Sequence, residues 1–219
     1  MTETMLGITV IGGGGMIGQR IFREAVDRGH RVTVVVREPP KIGVAHESVT
    51  VVQGDVLDPA ALADLLADQD VAISAVGTAR AAMPEYSLYR DAAESLPTAL
   101  RRLGDAAPRL IVVGGVGSLN DGSGRLLLER VPEDRLPEHL GQKAALDLYR
   151  ATSDVHWTYV SPPARIVPGE RTGAYRLGGD DLLVDSNGES TISMEDYAVA
   201  VIDEAESPKH ARRRFTVAY

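Results

Sequence analysis

A run of glycines separates an apolar segment from an amphipathic one near the start of the chain. Residues 8–18 read ITVIGGGGMIG, and Gly12, Gly15 and Gly18 in this run have the spacing GxxGxxG. Between a strand and a helix, the first glycine permits a tight turn, the second lets the backbone approach a pyrophosphate, and the third lets the helix pack closely on the sheet. The pattern predicts a first βα turn that binds a dinucleotide, although a flexible glycine loop fits the same letters. The predicted contacts are Gly12, Gly14, Gly15, Met16, Ile17 and Gly18.

The rest of the chain alternates β-branched apolar runs with stretches of helical periodicity. Such alternation is typical of right-handed βαβ units. It predicts an α/β fold of Rossmann type, with a doubly wound, mostly parallel sheet and helices on both faces. The predicted strands are Ile8–Ile11, Val32–Val36, Val49–Val52, Val71–Ala75, Leu110–Val113 and Trp157–Val160. The predicted helices are Met16–Arg28, one opened by the cap Asp58 and by Pro59, Tyr86–Leu103 with a break or restart at Pro97, and His139–Thr152.

The last quarter of the chain has a different pattern, in which glycines separate short segments. We predict a small hairpin from Tyr175–Leu177 and Leu182–Val184, then a helix over Met194–Glu206 that Ser193 caps. A closing strand is predicted at Phe215–Ala218. No linker rich in proline, glycine or serine divides the chain. We therefore interpret residues 1–219 as one domain with a small C-terminal elaboration on the substrate side.

Composition excludes several classes of function. The 219 residues include no cysteine, so disulfides, thiolate catalysis and cysteine metal sites are excluded, and we predict no metal site. The net charge of −8 weighs against nucleic acid or an anionic membrane as a partner. No apolar run approaches the roughly 20 residues of a spanning helix, and the first residues do not resemble a signal peptide. We expect a soluble cytoplasmic protein, monomer or homodimer, that acts on a small-molecule substrate.

The residue after the second predicted strand indicates which dinucleotide binds. In NAD-specific folds this strand usually ends in an acid that binds the ribose hydroxyls. Here the position holds Arg37, whose guanidinium suits a 2′-phosphate, and the acid Glu38 follows one place late. We therefore expect NADP(H) as the cofactor and keep NAD(H) as the alternative. A surface arginine at a strand end is the structural alternative for Arg37.

The ends of the third and fourth predicted strands supply further candidate contacts. Asp55, followed by Val56, would accept a hydrogen bond from the adenine amino group, or would bond its own backbone in a turn. The fourth strand ends in the small residues Ala75, Val76 and Gly77. There the chain would pass close to the adenosine ribose and the phosphates.

Several segments together carry a family resemblance. They are IGGGGMIGQR, VVVR, QGDVLD, AISAVG, RLIVVGGVGSL, WTYVSPP, PGERTGAYRLGGDDLLVD and STISMEDYAVAV. With these segments the chain resembles the NAD(P)H-binding (NmrA-like) group of atypical short-chain dehydrogenase/reductases. It is most similar there to NADH-flavin reductases and relatives of biliverdin reductase B. The resemblance extends over almost the whole chain, and WTYVSPP with PGERTG and ISMEDYAVAV is more discriminating than the glycine motif.

The resemblance implies a sheet of seven or eight strands with the nicotinamide at the carboxyl ends of the strands. The loops 114–118 and 161–164 would then frame the nicotinamide. Two consecutive prolines in the second loop would form a rigid wall beside it, because proline restricts its own φ and the residue before it. The predicted contacts in these loops are Gly114, Ser161, Pro162 and Pro163.

The chain departs from the catalytic pattern of typical short-chain dehydrogenases. Where they have a Tyr-x-x-x-Lys pair, this chain has His139 and Lys143, which are four residues apart and share a helix face. A histidine there could protonate a substrate, whereas a solvated helix face is the alternative. The typical serine after the fifth strand is replaced by Gly114 and Gly115, and Ser118 is the nearest hydroxyl. The predicted catalytic residues are Ser118, His139 and Lys143.

Two classes of function follow from these departures. The first is an enzyme that transfers hydride from NAD(P)H to a flavin, a quinone or a similar planar acceptor. Such a reaction needs little from the protein beyond holding two rings in contact and excluding water. The second is an NADP(H) redox sensor that changes partners with the state of its cofactor. A sugar-nucleotide epimerase or dehydratase is a weaker third class, because the chain is short for a C-terminal substrate domain. We favour the enzyme.

Overall fold

The computed structural model describes residues 4–38, 46–77 and 86–219. Its strands are β1 (Gly7–Ile11), β2 (Arg31–Val36), β3 (Val49–Gln53), β4 (Val71–Ser74), β5 (Arg109–Val113), β6 (Trp157–Ser161), β7 (Arg165–Val167), β8 (Arg176–Gly178), β9 (Thr191–Ser193) and β10 (Arg213–Ala218). Its α-helices are α1 (Met16–Asp27), α2 (Pro59–Leu66), α3 (Tyr86–Leu103), α4 (Leu136–Ala151) and α5 (Met194–Glu206). Short 3₁₀ turns cover Gly104–Ala106 and Leu127–Arg130.

The main sheet has the strand order β3-β2-β1-β4-β5-β6-β10-β8. Its strands pair in parallel, except that β8 is antiparallel to β10. Strands β7 and β9 form a separate parallel pair. The strand order reverses between β1 and β4, and open α/β sheets bind ligands at the carboxyl ends of the strands beside such a switch point. The predicted Rossmann-type α/β fold is confirmed.

Apolar side chains cover both faces of the sheet, as its valine-rich parallel strands require. One cluster joins the strands to α1 and α5 and includes Ile8, Phe22 and Tyr197. The other joins them to α2, α3 and α4 and includes Leu62 and Leu96. Helices therefore occupy both faces, and the carboxyl ends of the strands are left to form a site.

Helix α3 is continuous through Pro97. A proline inside a helix removes one hydrogen bond and costs about 3 kcal/mol. The neighbouring side chains of Leu96, Ala99 and Leu100 are buried where α3 packs against α2 and α4. Burying a leucine side chain contributes about 1.5–3 kcal/mol, so this packing offsets the local cost. The predicted break or restart at Pro97 is wrong for this reason.

The hairpin predicted from Tyr175–Leu177 and Leu182–Val184 is also wrong. Strand β8 pairs with β10 instead, which places Leu177 opposite Val217. The second predicted arm forms no strand, and the Leu182 backbone N–H donates to the Asn120 carbonyl at 2.9 Å. An isolated two-stranded hairpin is marginal in water. The edge of β10 that β6 leaves unpaired is a better partner for β8, because β10 belongs to a large buried sheet.

Candidate functional site

The glycine turn between β1 and α1 packs against the end of β4. Gly12 has a φ of +84°, which favours glycine, and a Cβ there would lie 2.7 Å from the Ala75 carbonyl oxygen. A Cβ on Gly18 would collide with the Gly12 carbonyl, so the third glycine lets α1 pack on the turn. Gly14 and Gly15 are exposed, and a Cβ on Gly15 would meet only the Gly12 oxygen at 3.4 Å. The turn therefore presents bare backbone to a ligand at these two positions.

Helix α1 begins without the side-chain cap that α2 and α5 have. Asp58 accepts from the Ala60 N–H at 3.0 Å, and Ser193 accepts from the Asp196 N–H at 2.9 Å. The corresponding residue of α1 is Gly15, which has no side chain to accept a bond, and the first turn holds no acid. Free N–H groups and the positive end of the helix dipole suit a phosphate. The bare turn and the uncapped helix thus fit the pyrophosphate of a dinucleotide.

The end of β4 lies beside this turn, as the sequence predicts. The Ala75 N–H donates to the Ile11 carbonyl at 2.8 Å, and the Gly12 N–H donates to the Val35 carbonyl at 3.0 Å. These bonds bring the ends of β1, β2 and β4 together. Ala75 and Val76 are half-buried there and Gly77 is exposed. In the first turn of α1, Met16 is exposed and Ile17 is half-buried.

Arg37 extends from the end of β2 at the same edge of the sheet. Its side chain is exposed, and its carbonyl accepts from the Gln53 amide at 3.1 Å. The last residue of β2, Val36, lies 3.6 Å from the position of a Cβ on Gly14. Arg37 therefore follows directly on a residue that borders the glycine turn. Binding of a 2′-phosphate by Arg37 stays a prediction.

The structure favours the turn interpretation of Asp55. One Asp55 oxygen accepts from the Leu57 N–H at 3.0 Å, which is the bond of an aspartate turn. The neighbouring Val56 side chain is buried in the apolar core, so only its backbone is available to a ligand. Adenine recognition by this pair stays a prediction.

The loop after β5 explains why the typical serine is absent. A Cβ on Gly114 would collide with the Tyr159 ring, and a Cβ on Gly115 would collide with the Gln142 side chain. Tyr159 is buried, and its hydroxyl donates to the Gln142 carbonyl at 2.9 Å. Burial raises the pKa of Tyr159 well above its ordinary value. The Tyr159 ring leaves room only for glycine at position 114, and Tyr159 does not replace the missing acid.

His139 lies against the same loop from the side of α4. Helix α4 begins at Leu136, earlier than predicted, because Pro137 suits the first turn of a helix. A Cβ on Gly117 would lie 2.9 Å from the His139 Cβ, so the imidazole is close to the loop backbone. Its Nδ1 is buried and has no hydrogen-bond partner within the described ranges. Burial, together with the nearby charge of Arg135, outweighs the opposing charge of Glu138 and lowers the pKa of His139.

These surroundings fix the chemistry that His139 can supply. A buried Nδ1 without an acceptor is better unprotonated, so the neutral ring carries its proton on Nε2. We assign this tautomer from the surroundings of the ring. A neutral imidazole can donate one hydrogen bond, but it is a much weaker acid than the imidazolium. The site therefore lacks a strong proton donor at His139.

Lys143 is engaged by a neighbour on its own helix. Its Nζ lies 2.6 Å from an oxygen of Asp147, one turn further along α4. In typical short-chain dehydrogenases the corresponding lysine holds the ribose and lowers the pKa of the tyrosine. The predicted catalytic role of Lys143 has no support from this geometry.

Sequence reasoning missed a buried arginine behind Ser118 and Ser161. Arg214 Nη1 lies 3.4 Å from the hydroxyl of each serine. Both serines are buried, and so are Pro162 and Pro163, which follow β6 as the predicted wall. The predicted closing strand begins one residue after Arg214, whereas β10 begins at Arg213. An arginine that directly precedes the apolar run FTVA was the available signal.

A sequence profile of the NAD(P)H-binding family matches residues 12–208. The chain belongs to the NAD(P)H-binding family. The matched range includes the glycine turn, the ends of β2 to β6 and the whole of α5. The resemblance to the NAD(P)H-binding group is thereby confirmed.

Solved structures of several bacterial proteins resemble this family member along its whole length. A Burkholderia pseudomallei protein, provisionally named an exported protein, is 40% identical with a TM-score of 0.87, and the match covers 98% of this chain and 100% of that one. A Bacteroides thetaiotaomicron protein with the provisional name of an epimerase is 36% identical with a TM-score of 0.90, covering 99% and 98%. A Streptococcus pneumoniae protein with the provisional name of an NADH-flavin reductase is 31% identical with a TM-score of 0.84, covering 97% and 99%.

The segment PGERTG, which is among the most discriminating parts of the chain, fastens the C-terminal region to two helices. Arg171 binds both oxygens of Glu24 on α1, each at 2.7 Å. The backbone N–H groups of Thr172 and Gly173 donate to Asp196 on α5, at 2.8 and 2.7 Å. We call these five residues with their bonds the clasp. The clasp binds the two helices through their buried carboxylates, and none of its bonds is to a residue at the carboxyl ends of the strands.

Two further observations bear on partners of this family member. In the part of the chain that the structure describes, no helix is long and apolar enough to cross a membrane. Across the same residues, no cluster of histidine and carboxylate side chains has the arrangement of a metal site.

Proposed function

We propose that this protein is an NADPH-dependent reductase that delivers hydride to a flavin, a quinone or a similar planar acceptor. The observation that carries the proposal is a dinucleotide site without a strong acid beside it. The glycine turn and the uncapped α1 suit a pyrophosphate, whereas Gly114 replaces the serine and His139 is held neutral.

Different residues at the strand ends would bind different parts of the cofactor. Backbone N–H groups of the turn at Gly14 and Gly15 would hold the pyrophosphate, and Arg37 would bind the 2′-phosphate. Bound NADPH would supply the hydride from its nicotinamide. The chain itself would orient the nicotinamide between the loops 114–118 and 161–164 and exclude water from that contact.

The kind of acceptor follows from the missing acid. A carbonyl substrate needs a proton at its developing alkoxide, and in typical short-chain dehydrogenases a tyrosine supplies it. A flavin accepts hydride at a ring nitrogen and takes its proton from water. Gly114, Gly115 and the neutral His139 offer no replacement for the tyrosine. The provisional name of the Streptococcus pneumoniae neighbour supports the same class of acceptor.

A panel of acceptors tests the proposal. The purified protein is mixed with NADPH and, separately, with FMN, menadione, aldehydes and a sugar nucleotide, and the loss of NADPH absorbance is followed. We expect consumption with FMN or menadione and none with the aldehydes. Bound but unconsumed NADPH throughout the panel would favour a redox sensor. Conversion of the sugar nucleotide would favour an epimerase, the provisional name of the Bacteroides thetaiotaomicron neighbour.

Cellular location and oligomeric state belong to the proposal as well. We place the protein in the cytoplasm, where NADPH is made and kept reduced, as a monomer or homodimer. The provisional name of the Burkholderia pseudomallei neighbour suggests export for that protein. Cell fractionation and gel filtration test these two points directly.

A further inference from the structure

Arg214 is a charged residue that is buried on an inner strand of the sheet. The cost of burying its charge must be offset by its partners or explained by a function. Its side chain is 2% exposed, and its position on β10 is opposite Tyr159 of β6. Arginine is almost never fully buried unless it is paired, because removing its charge from water is costly. The partners that Arg214 binds therefore indicate what it does.

The strongest partner of Arg214 does not by itself require burial. Both Nε, at 2.6 Å, and Nη2 bind one oxygen of Asp180, whose side chain is 56% exposed. Arg150 on the surface of α4 binds the same oxygen at 3.0 Å. A surface carboxylate with a surface arginine would be satisfied without a second arginine from the core.

The remaining donor of the guanidinium reaches the two loops that would frame the nicotinamide. Nη1 lies 3.4 Å from the Ser118 carbonyl, the Ser118 hydroxyl and the Ser161 hydroxyl. Ser118 belongs to the loop after β5, and Ser161 ends β6. These long contacts connect the two loops. The ion pair with Asp180 holds the guanidinium in the position from which it makes them.

The chemistry of the guanidinium also orients the Ser118 hydroxyl. Arginine has only donors, so the serine oxygen must accept from it. The hydroxyl proton of Ser118 is then available to another acceptor, and none is found for it within the described residues. An oxygen or nitrogen on a bound acceptor ring would be a suitable partner.

We propose that Arg214 is a positioning residue that sets the spacing of these two loops and directs the Ser118 hydroxyl toward the acceptor ring. This inference rests on the proposed reductase function. Displacement of a reacting group by about 1 Å can cost on the order of a hundredfold in rate, so such a residue acts on turnover more than on cofactor binding.

The test compares variants of the full chain with NADPH and FMN, or with menadione if the native protein prefers it. The turnover number, the KM for the acceptor, the Kd for NADPH and the melting temperature are measured for each. Arg214→Met should lower kcat by about 10–100-fold while the Kd for NADPH changes by less than about threefold. Arg214→Lys, which retains the charge, should recover part of the loss. Arg150→Met is the matched control, because Arg150 binds Asp180 and not the serines, and it should leave kcat unchanged.

A double variant separates positioning from a purely structural role. If Arg214 acts through Ser118, then Ser118→Ala with Arg214→Met should be no slower than the slower single variant. Losses that multiply would overturn the inference, as would native kcat in Arg214→Met or an equal loss in Arg150→Met. If Arg214→Met fails to fold, the comparison is made with Arg214→Lys. Absence of turnover in the native protein would overturn the proposed function first, and this inference with it.

Discussion

Single residues decide which chemistry the strand ends can support. Gly114 cannot be replaced by a serine because the Tyr159 ring occupies the space that a side chain needs. His139 cannot easily become charged because its Nδ1 is buried without a partner among the described residues. Both effects remove an acid from a site that retains the features of a phosphate-binding turn. They leave hydride transfer without proton delivery as the simplest chemistry for this edge of the sheet.

The glycine at position 15 should be essential for cofactor binding but not for folding. A Cβ there meets only the Gly12 oxygen, so Gly15→Val should fold while its side chain occupies the path of the pyrophosphate. We expect loss of binding for both NADPH and NADH in calorimetry. Gly179→Val is the matched control, because nothing lies within 4 Å of a Cβ at Gly179 and that site is remote in sequence from the turn. Native affinity in Gly15→Val would show that the dinucleotide binds elsewhere.

Arg37 should determine the choice between the two cofactors. Arg37→Ala should weaken NADPH by about 1.5–3 kcal/mol, the range of a hydrogen bond to a charged group, and should barely change NADH. Arg31→Ala removes an exposed arginine from the other end of β2 and should change neither affinity. Calorimetry of the native protein with both cofactors is decisive, since equal affinities would end this assignment.

His139 should contribute little to the rate. Its neutral ring offers one hydrogen bond at most, so His139→Ala should slow FMN reduction by less than about tenfold, under about 1.4 kcal/mol of barrier. The rate should also lack the loss that deprotonation of a histidine acid produces as the pH rises through neutrality, because the lowered pKa already keeps the ring neutral there. A hundredfold loss with NADPH binding intact would identify a general acid and favour carbonyl reduction.

At the scale of elements, the clasp shows that a discriminating motif can be structural. Arg171, Thr172 and Gly173 bind carboxylates on α1 and α5 and so attach their segment to the rest of the domain. Burial raises the pKa of Glu24, but hydrogen bonds from Arg171 and Arg28 outweigh this effect and hold the pKa below its ordinary value. The same helices cover one face of the sheet, so the clasp stabilises the scaffold on which the strand ends rest.

Removing the charge of Glu24 should therefore reduce stability in a pH-dependent way. Glu24→Gln should lower the free energy of unfolding by about 1–3 kcal/mol at neutral pH, because its charged hydrogen bonds are weakened. A lowered folded-state pKa stabilises the protein above the ordinary value of 4.5, and this stabilisation is lost as the pH falls through the folded-state pKa. Urea unfolding of both proteins should show the difference shrinking as the pH falls below 4.5. Glu94→Gln, in an exposed pair with Arg90, is the control and should change little.

The elements that the sequence predicts well are those specified by local pattern. Apolar, mostly β-branched runs predicted the strands β1 to β6, and Asp58 and Ser193 predicted helix starts that the structure shows as capped. Local pattern failed where a distant partner decides the outcome. Strand β8 pairs with β10, and Pro97 is carried through α3 by packing on neighbouring helices. The role of PGERTG could not be predicted either, because the carboxylates that bind it lie on separate helices.

The same limit applies to the candidate site. The turn at Gly12 to Gly18 and the end of β4 could be placed together because parallel strands bring their carboxyl ends to one edge. The position of Arg214 could not be predicted, because Ser118 is distant from it in the sequence and only the order of the strands brings the two residues together. The burial of the His139 ring and its loss of acidity likewise depend on the loop that packs against it.

At the scale of the whole molecule, the strand order places every predicted cofactor contact along one edge of a single sheet. The order of the strands switches between β1 and β4, where the proposed dinucleotide would bind, and the buried Arg214 lies at the ends of β5 and β6, on the side proposed for the nicotinamide. In the proposed mechanism the chain supplies binding and orientation there, and no strong acid. The central claim is therefore that bound NADPH reduces a planar acceptor directly.

An anaerobic single-turnover experiment tests this claim most directly. The protein is saturated with NADPH and mixed with FMN, and both absorbances are followed, with Gly15→Val as the control for reduction in free solution. We expect that one FMN is reduced for each NADPH consumed, at a rate that rises with the concentration of native protein and not with that of the variant. Tightly bound NADPH that stays unchanged in the presence of FMN and of menadione would contradict it.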